Sequence, residues 1–164
     1  MDCVVLQEQA CAKRIMTHPT LQTALQQLIV DDADRQLADS IFSTIDVSKI
    51  SALLNRYCQE QFGQTIATCS FAYLSVGATF VGQLTDQRER VIKASSSQYD
   101  LTALIACCKI QDWLAKQDFP CPAIIRLPQQ FGSSSLMVQA FCDPGDRVNP
   151  TDPSINTTMA RYLA

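Results

Sequence analysis

Hydrophobic residues near the N-terminus recur with the three- and four-residue spacing of amphipathic helices. The stretch TLQTALQQLIV places its apolar residues on one stripe, with Thr20 as an N-cap, and ADRQLADSIF continues the pattern. A third helix is expected in DVSKISALLNRYCQEQFG, with Ser48 as its N-cap and Gly63 as its C-terminal stop. These patterns predict a helical N-terminal extension over residues 1–62.

After Gly63 the pattern changes to that of β-strands. The stretches TIATCSFAYLSV, TFVGQL and RVIKAS are rich in β-branched and aromatic residues, and short turns separate them. They predict a meander of three strands. Asp100 then caps a helix in LTALIACCKIQDWLAKQ, whose apolar residues follow Leu101 at intervals of 3, 4 and 7. The prolines of DFPCP end this helix.

The remaining pattern predicts two more strands and a C-terminal connection. AIIRL is expected to be the fourth strand, PQQFGSS a loop and SLMVQAF the fifth strand. The predicted fold is therefore α+β, with a five-stranded antiparallel sheet and one packed helix over residues 63–141. Residues 142–164 are interpreted as a linker followed by a last short helix that begins near Ser154 or Ile155.

The composition narrows the functional classes. With 47% hydrophobic and 18% charged residues the chain is typical of a globular protein, and its net charge of -3 gives no basic footprint for nucleic acid. No apolar run approaches the ~20 residues of a membrane span. The opening stretch MDCVVLQEQACAKRIM lacks the long apolar core of a secretion signal. We therefore expect a cytoplasmic protein that binds neither nucleic acid nor a membrane.

The eight cysteines could indicate disulfides or a metal site, but their spacing argues against both. No pair has the CxxC spacing of a structural zinc site, and His18 is the single histidine. We expect most of these thiols to behave as small buried hydrophobic groups. The sequence thus predicts neither a zinc site nor a disulfide.

Lys93 stands out because it follows the apolar residues of ERVIKASSSQYD. It is either an ordinary strand-end lysine with its head in water, or a cation directed at a phosphate. Strand alternation places Val91 and Lys93 on one face and Ile92 on the other. If the helix after this strand packs against Ile92, Lys93 points to the opposite face, beneath Gly77.

Four stretches together resemble the small lobe of the protein kinase-like fold, as found in aminoglycoside phosphotransferases and choline kinases. LSVGATFVGQL resembles the two strands and the glycine-containing loop that cover the nucleotide, and RVIKAS resembles the third strand with its lysine. DWLAKQDFPCPAIIRL and LMVQAFCDPGDRV resemble the WL…G.PVP.V and L.ME…PG..L passages of that group. The resemblance covers about residues 64–150.

The resemblance implies the ATP-binding lobe of a small-molecule phosphotransferase. With Mg²⁺, the whole enzyme would transfer the γ-phosphate of ATP to a hydroxyl of a small acceptor that the sequence does not name. The implied phosphate-binding residues are Lys93, Ser75, Gly77 and Ala78, and the implied adenine edge is Gln139, Ala140 and Phe141. Gly77 is equally well explained as a simple hairpin turn.

Two features depart from the family pattern. The glutamate that the family pairs with the strand lysine would fall near Cys107, and no acidic residue lies between Leu101 and Gln111. The catalytic His-x-Asp loop, the asparagine and the Mg²⁺-binding aspartate belong to the large lobe of the fold. We therefore expect this chain alone to be inactive. INTTMARYLA has the pattern of an unfinished helix, so residues 142–164 would be the linker between the lobes and the start of the large lobe. The chain would then be either a fragment of a longer enzyme, which we favour, or a small lobe that exists alone.

A non-catalytic regulatory or protein-interaction domain that retains the kinase-like scaffold is the alternative. The missing carboxylate and the glutamine-rich helices of residues 1–62 favour this interpretation. Those helices could cover the open face of the lobe or pair with another chain, including a second copy of this one.

Overall fold

The structure is a computed structural model that describes residues 19–142. In this part of the chain the elements are α1 (Leu21–Leu28), α2 (Asp32–Phe42), α3 (Val47–Phe62), β1 (Ile66–Leu74), β2 (Gly77–Leu84), β3 (Glu89–Ser96), α4 (Leu101–Lys116), β4 (Ile124–Phe131) and β5 (Ser134–Ala140). The predicted α+β class and five-stranded antiparallel sheet are confirmed. The helix expected near Ser154, and the stretch before Pro19, lie outside the described residues.

The sheet has the strand order β1-β2-β3-β5-β4, and every neighbouring pair is antiparallel. β3 is therefore the central strand, although β4 and β5 follow it in sequence only after α4. Residues paired across antiparallel strands point to the same face. Phe80, Ile92 and Val138 form one such row across β2, β3 and β5, and all three are fully buried.

The three N-terminal helices begin and end where local chemistry favours it. Thr20 caps α1 as predicted, since its hydroxyl accepts a hydrogen bond from the Thr23 N–H. The predicted cap of α3 was wrong by two residues. The carboxylate of Asp46 accepts from the N–H of Ser48 at 2.9 Å, so Ser48 lies inside the first turn. Gly63 ends α3 with a φ of +66°, a conformation that glycine adopts without strain.

Helices α1, α2 and α3 form one layer against the face of the sheet that carries Ile92. Their apolar residues and those of the sheet belong to a single continuous core. Polar contacts fix the layer in place, because the side-chain oxygen of Asn55 in α3 accepts from the N–H of Ile66 at 2.8 Å. The N-terminal helices therefore complete the core on this face and leave the opposite face of the sheet to α4.

The segment PQQFGSS was predicted to be a loop, and this prediction is wrong. β4 continues through Pro128 to Phe131, and only Gly132 and Ser133 connect it to β5. Proline lacks the N–H needed inside a sheet, but β4 is an edge strand, where this loss is tolerated. Register shifts on both sides of Arg126 accommodate the irregular strand.

Helix α4 lies on the other side of the sheet, beside β4 and β5. Its Gln111 side chain donates to the Pro122 carbonyl at 2.6 Å, and the Gln139 amide of β5 donates to the Gln111 side-chain oxygen at 3.2 Å. The outward side of α4 carries Ile110 and Trp113, each 60% exposed. Among residues 19–142, no helix has the length and apolar character needed to cross a membrane.

Candidate functional site

Lys93 lies inside the central strand, between Thr79 of β2 and Met137 of β5 in the register. Its neighbour Ile92 is fully buried against the N-terminal helices. Strand alternation predicted that Lys93 points away from the helix that follows β3, provided that this helix packs against Ile92. That condition is not met, because Cys108 of α4 contacts Met137, which shares the face of Lys93.

Within residues 19–142, Lys93 has no carboxylate within 4.0 Å. The two acidic residues at the ends of α4 are engaged elsewhere. Asp100 caps the helix by accepting from the Thr102 N–H at 2.9 Å, and Asp112 pairs with the Lys116 ammonium at 2.6 Å. The first ten residues of α4 include no Asp or Glu that could pair with Lys93.

Cys108 lies on the Lys93 side of α4, one residue after the position at which the resemblance would place a glutamate. Its sulfur lies 3.6 Å from that of Met137, and its side chain is buried. Burial raises the pKa of the Cys108 thiol, Cys107 raises it further, and the positive charge of Lys93 lowers it. The thiol therefore stays protonated at neutral pH and leaves the lysine charge uncompensated.

The six described cysteines are free thiols: Cys58, Cys69, Cys107, Cys108, Cys121 and Cys142. Cys3 and Cys11 lie outside the described residues. Among residues 19–142, no three His, Cys, Asp or Glu side chains lie close enough together to hold a metal ion. The resemblance implied that the ligands of Mg²⁺ lie in a large lobe and not among these residues.

An apolar row adjoins Lys93 on the same face of the sheet. Val91 is two residues before Lys93 in β3, and it pairs with Val81 of β2, which in turn pairs with Phe71 of β1. Val81 is buried, and Phe71 and Val91 are half-buried. Strand alternation predicted Val91 on this face, but neither Val81 nor Val91 was predicted to bind a ligand. The two-residue alternation of side chains along β2 and β3 could have placed Val81 and Val91 beside Lys93.

The predicted phosphate loop is a tight hairpin. Only Ser75 and Val76 connect β1 to β2, and the Ser75 N–H donates to the Gly77 carbonyl at 2.8 Å. A Cβ at Gly77 would lie 2.8 Å from the Ala94 carbonyl oxygen, so the glycine allows close approach of β2 and β3. Ala78 is 2% exposed and points into the core, away from Lys93.

The predicted adenine edge lies at the end of β5, next to the apolar row. Gln139 pairs with Val91 and is 3% exposed, and its side chain is held by Gln111 of α4. The Ala140 N–H already donates to the Ala123 carbonyl at 2.9 Å. Phe141 follows the strand and is partly exposed. These residues border the site through their backbone, while the Gln139 side chain serves the packing of α4.

Comparison of the chain with models of protein families, with curated proteins and with solved structures found no match in any of the three.

Proposed function

We propose that this chain carries the ATP-binding small lobe of a small-molecule phosphotransferase and is a fragment of a longer enzyme. The observation that carries the proposal is the position of Lys93. Its ammonium belongs to the central strand of the sheet, has no carboxylate partner in the described part of the chain, and adjoins an apolar row. This combination suits a ligand with a flat ring at one end and phosphates at the other.

The surroundings of Lys93 support an anionic ligand. Thr79 is its direct neighbour in β2, and Ser95 lies two residues further along β3 on the same face. Hydroxyl groups at these positions can donate to phosphate oxygens, and a lysine adds a charge-assisted contact. Val81 and Val91 would lie under the ring, two residues from the ammonium group along β3.

Transfer of the phosphate is assigned to residues beyond the described part of the chain. The acceptor hydroxyl, the base that receives its proton and the ligands of Mg²⁺ would come from the large lobe that the resemblance implies. In this proposal residues 63–141 bind and orient ATP, and the chain by itself does not catalyse the transfer.

A non-catalytic regulatory or interaction domain is the second candidate. It is favoured by the absence of a carboxylate beside Lys93 and by the two-residue connection between β1 and β2, which cannot close over a triphosphate as a long loop would. In this alternative the sheet and α1–α3 would serve as a scaffold, and Lys93 would have no ligand.

Isothermal titration calorimetry with ATP separates the two candidates. Lys93→Ala is expected to weaken binding by about 1.5–3 kcal/mol, the value of a hydrogen bond to a charged group. Lys49→Ala is the matched control, since Lys49 is exposed on α3 in the layer behind the sheet. Absence of binding at millimolar ATP, both to this chain and to the longer protein, would favour the scaffold interpretation.

A further inference from the structure

We infer that the site at Lys93 binds the metal-free form of a polyphosphate ligand more tightly than its Mg²⁺ complex. This inference rests on the proposed function and adds the charge state in which the ligand binds. It follows from the positive charge of Lys93 and from the lack of carboxylates near it among residues 19–142.

The sheet supplies only neutral groups near Lys93. Its register neighbours in the same row are Thr79 and Met137, and Tyr73 follows at the far side of Thr79. On the same face of β3 the acidic residue is Glu89, four positions away and about 13 Å distant at the rise of a β-strand. That separation exceeds the Debye length of about 8 Å at physiological ionic strength.

Helix α4 does not supply a negative charge either. Its Cys108 thiol lies 3.6 Å from the sulfur of Met137, which pairs with Lys93 in the register, and burial raises the pKa of this thiol. The Asp100 carboxylate caps the first turn of the helix, and the Asp112 carboxylate pairs with the Lys116 ammonium. The described part of the site is thus a single positive charge among neutral groups.

A site of this kind favours the more highly charged ligand. Mg²⁺ prefers oxygen ligands and is usually held between protein carboxylates and the phosphates of the substrate. Among residues 19–142, no carboxylate lies within 4.0 Å of Lys93 to share the metal, while the metal neutralises part of the phosphate charge that Lys93 attracts. Since Coulomb attraction scales with charge, free ATP should bind better than magnesium-bound ATP.

The test is titration calorimetry of the full chain with ATP, once with excess EDTA and once with excess MgCl₂, at matched ionic strength. Binding is expected to be about threefold to tenfold tighter with EDTA, as for the loss of part of a screened attraction. Inorganic tripolyphosphate, which has no ring, should show the same preference. Equal or tighter binding with MgCl₂ overturns the inference and leaves the proposed function standing. No binding in either buffer overturns both.

Variants at position 108 test the cause. Cys108→Asp places a carboxylate beside Lys93 and is expected to remove or reverse the preference for metal-free ATP, while Cys108→Ser should retain it. Ile110→Asp is the matched control, because Ile110 is 60% exposed on the outward side of α4.

Position 108 is buried, so its aspartate variant must first show a native circular dichroism spectrum. If it does not fold, Thr79→Asp places a carboxylate directly opposite Lys93 on a partly exposed strand position. A folded aspartate variant at 108 or 79 that keeps the full preference for metal-free ATP overturns the inference.

Discussion

The hydroxyl of Ser134 donates a 2.7 Å hydrogen bond to the main-chain carbonyl of Ile41, which joins the start of β5 to the last turn of α2. Ser133 makes the same kind of contact with the Phe42 carbonyl at 2.5 Å. The last carbonyls of a helix have no partner within the helix, so these serines satisfy groups that would otherwise be buried without one. They also fix the helical layer on the sheet.

Ser134→Ala is therefore expected to destabilise the protein by about 1–3 kcal/mol, because it leaves the buried Ile41 carbonyl unpaired. The free energy of unfolding from urea titration measures this change. Ser97→Ala is the control, since Ser97 is exposed in the turn after β3 and should change stability by less than about 0.5 kcal/mol. Equal effects of the two substitutions would contradict the role of Ser134.

The second prediction concerns alkaline pH and the buried Tyr57. Its hydroxyl donates to the Leu136 carbonyl, and burial, with a smaller contribution from Cys58, raises the pKa of Tyr57 from 10.0 to about 12. Burial also raises the pKa of Cys58 from 9.0 to about 12 and that of Cys69 to about 11. The unfolded chain loses these protons first, so stability is fully present below about pH 9 and falls as pH rises toward 12.

Each such group contributes at most about 1.4 kcal/mol per pH unit to this loss. Tyr57→Phe should remove its part of the slope between the pKa of 10.0 in the unfolded chain and that of about 12 in the folded one. Urea titrations at a series of pH values measure the slope. Tyr99→Phe is the control, because Tyr99 is exposed. A slope unchanged by Tyr57→Phe would show that the phenol ionises alike in both states.

Much of the fold was predictable because local signals agreed with the tertiary structure. Thr20 and Asp100 cap helices through their side-chain oxygens, Gly63 ends one through its left-handed backbone, and each acts as the sequence indicated. The predicted fourth strand ended before Pro128, because proline is a local signal for a loop, whereas β4 continues to Phe131. Only the position of β4 at the edge of the sheet makes a proline tolerable there, and strand order is not a local property.

The site was less predictable than the fold. Alternation correctly separated Lys93 from Ile92, but it could not say which face each helix covers. The apolar spacing of α4 suggested a helix with a buried face, whereas Cys108 is its one buried residue. Which helix packs on which face depends on the contacts of α1–α3 with the sheet, and these form between residues far apart in sequence.

The third prediction concerns the attachment of α4. Gln139 is buried and donates to Gln111, which itself donates to the Pro122 carbonyl. Gln139→Leu and Gln111→Leu should each destabilise the protein by about 1–3 kcal/mol, since each leaves polar groups without partners. A double-mutant cycle should give a coupling of about 0.5–1.5 kcal/mol between the two residues. Gln117→Leu, at the exposed end of α4, is the control. A coupling near zero would show that the two amides act independently.

The last prediction decides what Gly77 does. A phosphate-binding role predicts that Gly77→Ala weakens ATP binding and leaves stability unchanged. The structure predicts instead that Gly77→Ala lowers stability and leaves ATP binding similar. The added Cβ would lie 2.8 Å from the Ala94 carbonyl oxygen and force β2 and β3 apart. We expect a loss of about 1–3 kcal/mol in the free energy of unfolding, as for other overpacked positions. Val76→Ala, at the exposed tip of the same hairpin, should be close to neutral. ATP affinity is then compared at a temperature at which both variants are fully folded. Unchanged stability with weaker ATP binding would support a phosphate-binding role for Gly77. Lower stability with similar ATP binding would establish it as a packing residue of the sheet.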